Sequence, residues 1–143
     1  MLLIVNAAAT WFMTGLIWFV QVVHYPLFAG VGRDGFAAYH DAHARRTTWV
    51  VGPAMLCEAL SAALLVAARP PTVTAGAAWL GLALVAVIWL STAALQVPQH
   101  GVLGAGFAEQ SARRLVAGNW IRTAAWSARA VLVASLLARG AEQ

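Results

Sequence analysis

The sequence predicts an all-α, four-helix transmembrane bundle with a short amphipathic interfacial helix before the second span. Three observations carry that prediction. Of 143 residues, 62% are hydrophobic and only 10% are charged, whereas soluble domains run near a quarter charged. The apolar residues collect into four runs long enough to cross a bilayer. The cationic residues are nine arginines and no lysine, and all but Arg122 and Arg129 flank those runs.

The first span covers about residues 2–28 and is closed by "HYPLF". Its opening "MLLIVNAAATWF" has neither a basic leader nor a small-residue cleavage pattern, so it reads as a retained span. The interfacial helix follows, capped at Asp34 and running from Phe36 toward Arg46, with Pro53 kinking or restarting the chain as the second span begins. That span covers about 48–68 and ends at Arg69 and "RPPT". The third, about 76–97, is closed by Pro98. A glycine-rich stretch that turns briefly helical then leads to the fourth span, about 118–138, closed by Arg139 and Gly140. The whole chain, 1–143, reads as one membrane domain.

A pI near 10.7 would suggest nucleic acid in a soluble protein. Here the arginines serve topology and lipid headgroups, so no nucleic-acid partner is expected. The two longer loops carry Arg33, Arg45, Arg46, Arg113 and Arg114, and the opposite face only Arg69 and Arg139. An excess of positive charge marks the cytoplasmic side, which puts both termini outside. Cys57 is alone, so no intramolecular disulfide forms. There is no phosphate-binding glycine loop, serine elbow or HExxH motif.

The chemistry-bearing residues converge. His24 ends the first span, His40 and His43 lie three apart on one face of the interfacial helix, and His100 follows the third span. All four meet one membrane face from three segments. Neutral imidazole is the commonest metal ligand, so His24, His40, His43 and His100 are expected to bind a transition metal, copper or iron favoured, as one or two ions. The competing reading is interfacial anchoring. Glu58 lies inside the second span, where an unpaired carboxylate is costly. In "GNWIRTAAWSAR", Asn119, Arg122, Trp126 and Arg129 fall at steps of three, four and three, one stripe of a helix. That stripe should face Glu58 in the bundle interior. Glu58, Asn119 and Arg122 are the expected catalytic and substrate-positioning residues, with Trp126 and Arg129 on the cofactor side.

The punctuation resembles that of the small four-span anthrone oxygenase-like family. The likeness rests on "YPLF" at Tyr25 to Phe28, the proline-led second span at Pro53, the "VP" step at Val97 and Pro98, and the Trp120–Arg122 start of the fourth span. It covers nearly the whole chain, and implies oxygenation of a lipophilic aromatic. Where that family has asparagine after the "VP" step, this chain has Gln99 and His100. The chain is also similar to small four-span haem-binding protoporphyrinogen oxidases, through Trp11 to Gly15 and "GPAM". Their histidine near the start of span one is absent here, where that region has only Asn6. The expected function is therefore a membrane-embedded, metal-dependent oxidoreductase, an oxygenase or oxidase of an aromatic or quinone-like lipophile. A haem b protein, a metal carrier and a structural subunit are the alternatives. Expected partners are the bilayer, the lipophilic substrate and dioxygen, with a homo-oligomer allowed.

Overall fold

The computed structural model describes residues 1–141. Among them there is no strand, and four helical segments are long and apolar enough to cross a membrane. The first is α1 (Leu2–Phe19), extended by a π-turn at Val20–His24 and a 3-10 turn at Pro26–Gly30. The second is α2 (Phe36–Ala67). The third is α3 (Ala75–Ser91), a π-turn at Thr92–Gln96 and α4 (Val97–Gly104). The fourth is α5 (Glu109–Ala141).

Both π-turns precede a proline, for a shared reason. Proline lacks an N–H, and its ring crowds the carbonyl four residues back. Widening the preceding turn moves that carbonyl aside. Thus the Tyr25 N–H reaches back five residues to the Val20 carbonyl, 3.0 Å away, immediately before Pro26. The Val97 N–H reaches Thr92 in the same way before Pro98.

Three boundaries differ from the sequence prediction. The third helix passes through Pro98 and ends at Gly104. The stretch expected as an interfacial helix is helical but continuous with span two through Pro53, and its N-cap is Gly35 rather than Asp34. The fourth helix starts at Glu109, so the brief helix expected before span four is its first turns. One physical cause serves all three. An unbroken helix pairs its backbone groups internally, and a break near the bilayer leaves them unpaired where water is scarce.

The four segments form a ring in which α1 packs on α2 and α5, and α3 packs on α2 and α5. Leu3, Leu65, Val73, Ala78 and Leu136 cluster at the termini end, where the first and third helices start and the second and fourth finish. A second apolar cluster, including Met13, Ile17, Phe28, Phe36, Leu103 and Trp126, fills the end beneath the long loops. Polarity runs opposite to that of a soluble bundle. Glu58, Asn119 and Arg129 are buried, while Leu60, Leu90 and Val131 are 65%, 68% and 71% exposed. An apolar outside around a polar inside suits a lipid surround.

Candidate functional site

Midway between the apolar clusters, Glu58 and Arg129 pair at 2.8 Å. Both are almost wholly buried. One Glu58 carboxylate oxygen also accepts from the Thr10 hydroxyl at 2.7 Å, and the other accepts from the Trp126 indole N–H at 2.8 Å. The Arg129 guanidinium donates further to Asn6 Oδ1, to Thr10 and to the Gly81 carbonyl. Asn6 in turn donates to Ser61 and to the Glu58 carbonyl. Gly81 permits this approach, since a Cβ there would meet the guanidinium at 3.4 Å. Every helix of the ring contributes, so the network is a clamp. Glu58, Trp126 and Arg129 face one another as their spacing predicts. Glu58 and Arg129, however, stand apart from the histidines, with their polar atoms spent on protein partners.

The histidines do meet, on the long-loop face. His24 Nε2 and His43 Nδ1 are 2.7 Å apart, and His40 Nε2 and His100 Nδ1 are 2.9 Å apart. The His43 and His100 rings stack with centroids 5.7 Å apart, which joins the two pairs. The Phe28 ring lies edge-on to His24, His40 and His43 at 5.3 to 6.0 Å and forms a floor beneath them. Phe36 stacks on His40. The π-turn at Val20–His24 carries His24, and α4 carries His100 one turn past the other.

The cluster is not a closed metal site as it stands. Among the described residues, no three histidine, cysteine, aspartate or glutamate side chains are disposed to hold an ion. The imidazoles satisfy one another instead. A hydrogen bond between two imidazoles needs one donor and one acceptor, so neither pair can be doubly protonated. Asp41, on the same helix as His40 and His43, is exposed and paired with Arg45 at 2.7 Å, so it does not join the cluster. Tyr25 had drawn notice only as part of "YPLF". It is buried, and its hydroxyl lies 3.1 Å from His100 Nε2, which makes a chain Tyr25–His100–His40. Its buried place at a proline-widened turn could be read only from the fold.

Beside the cluster lies a chamber of about 260 Å³. Its body is aliphatic, with Met13, Ile17, Val20, Val51 and Met55. One end carries Tyr25, His43, His100, Gln96 and Arg122. Thr48 and Val97, both exposed, also line it, so its mouth opens sideways between the second and third helices. Arg122 therefore belongs to the chamber, set over the Trp126 ring at 5.4 Å. Asn119 does not line it. Its amide donates to Gln21 at 2.8 Å and ties α5 to the first π-turn.

No family model, curated protein or solved structure matches this chain.

Proposed function

We propose that the protein is a membrane-embedded, histidine-ligated, metal-dependent oxidoreductase acting on a lipophilic substrate held in the chamber. The observation that carries this reading is the adjacency of two features. Four imidazoles from three helical segments converge on an aromatic floor, and two of them form the polar end of an apolar chamber open toward lipid. An imidazole-only donor set suits first-row transition metals, copper and iron among them.

Within each pair the two nitrogens could take one ion after a small rearrangement, and bringing a third imidazole to it needs a larger one. Two nitrogens on one tetrahedral ion stand roughly 3.3 Å apart at metal–nitrogen distances of about 2.0–2.1 Å. The pairs now stand at 2.7 and 2.9 Å. Replacing each shared proton by metal therefore asks the rings to part and tilt by about half an ångström. A porphyrin fits less well, since the paired imidazoles touch directly and leave no gap for its plane.

When bound, the metal would supply one-electron chemistry with dioxygen. The chain's own residues would do the rest. The aliphatic walls orient the lipophile and exclude water, Arg122 sets its polar end, and the Tyr25 hydroxyl holds a proton against His100 Nε2 at the chamber's edge. The arginine-rich loops favour placing this face in the cytoplasm and both termini outside.

The test is a redox cycle. Purified protein loaded with copper or iron is reduced with ascorbate, dioxygen is admitted, and the metal is followed by absorption and electron paramagnetic resonance. Reoxidation of the bound metal by dioxygen is the expected result, with the metal signal itself lost in His43→Ala and His100→Ala. A bound metal that dioxygen never reoxidises would leave a carrier, not an oxidoreductase.

A further inference from the structure

The chamber's polar end holds two buried donor atoms without a partner, beside the Tyr25 hydroxyl that faces the Arg122 guanidinium. Arg122 is 7% exposed and Gln96 2% exposed, and both line the chamber. Arg122 Nε and Gln96 Nε2 have no hydrogen-bond partner among the described residues. Among the described residues, the carboxylates that could neutralise Arg122 are engaged or exposed elsewhere. Glu58 pairs with Arg129, Asp41 with Arg45, Glu109 with Arg113, and Asp34 lies exposed in the loop before α2. A guanidinium taken out of water without a counter-ion is unfavourable, and so is an idle buried amide donor. Both deficits would be met by one acceptor bearing a negative charge.

From this we propose that the chamber binds a single-chain lipophilic carboxylic acid, its carboxylate on Arg122 and Gln96 and its chain along Met13, Ile17, Val51 and Met55. Three features select that class. The guanidinium fork matches a planar carboxylate through two parallel hydrogen bonds. Arg122 is the one arginine lining the chamber, so it balances a single charge. A phosphate monoester carries about −1.5 to −2 and would ask for a second cation. Finally, the chamber body is aliphatic, and its mouth between Thr48 and Val97 opens laterally, as a ligand arriving from the bilayer requires. The inference names the substrate class for the chamber in the oxidoreductase reading and rests on that reading's use of it, but the binding step needs no metal.

The experiment uses the full chain in nanodiscs, stripped of metal with a chelator, and titrates dodecanoate, its methyl ester and dodecyl phosphate by calorimetry. Dodecanoate should bind saturably, at least tenfold tighter than the ester. Arg122→Gln should bring dodecanoate down to the level of the ester and leave ester binding unchanged. Val51→Trp, which fills the chamber near its mouth, should abolish both, and it keeps the test decisive if Arg122→Gln fails to fold. Equal binding of acid and ester would overturn the proposal, as would dodecanoate binding indifferent to either variant. Tighter binding of dodecyl phosphate would overturn the carboxylate assignment in favour of a phosphate-bearing lipid. Because metal is absent throughout, these outcomes are independent of the redox test.

Discussion

Glu58 and Arg129 show how far single residues can be read. A charge inside a span must find a partner, so the sequence alone predicts that Glu58 and the fourth-helix stripe face each other. The structure pairs them at 2.8 Å. Asn6 and Thr10, which complete the clamp, gave no such signal, because a lone amide or hydroxyl in an apolar run names no partner. Removing one member strands the other charge, so Glu58→Gln and Arg129→Gln should each destabilise the fold by about 3–5 kcal/mol. The double variant should lose less than the two singles together, which a denaturation series in detergent measures directly. Singles that leave the unfolding midpoint unmoved would show that the clamp contributes nothing. The histidines set a pH expectation. Metal needs neutral imidazole, so occupancy should fall as acidification protonates the ligands. Metal content after equilibration across a series of acid pH values checks the sign.

At the scale of the element, hydropathy locates each span but not its ends. Pro98 and Pro53 read as stops because proline removes a donor and crowds the preceding turn. The helices nevertheless continue, by a π-turn before Pro98 and without interruption at Pro53. Side-chain types do not reveal a π-turn, which is why the turns that carry His24 and Gln96 emerged only from the fold. Pro53 sits on the outer face of α2, away from the clamp and the chamber lining. Pro53→Ala restores a backbone donor there and should stabilise the protein by up to about 3 kcal/mol while leaving metal content unchanged. A loss of stability or of metal would mean that the proline sets the angle at which α2 presents His40 and His43.

Across the whole molecule, the four-span count and the convergence of histidines on one face were legible because both follow from the order of apolar runs along the chain. How those histidines meet was not. Their mutual hydrogen bonds, the Phe28 floor and the sideways chamber depend on packing between segments far apart in sequence. Orientation can be tested apart from the site. A reporter active only outside the cytoplasm should work when fused to the C-terminus, and one active only in the cytoplasm should not. The reverse pattern would invert the topology without touching the bundle. Whether the histidine cluster holds a metal is decided by elemental analysis of the purified protein beside His24→Ala, His40→Ala, His43→Ala and His100→Ala. Copper or iron near one or two ions per chain in the parent, sharply depleted in every variant, is the result predicted. A parent that takes up no transition metal after reconstitution, or variants that retain it in full, would contradict the account.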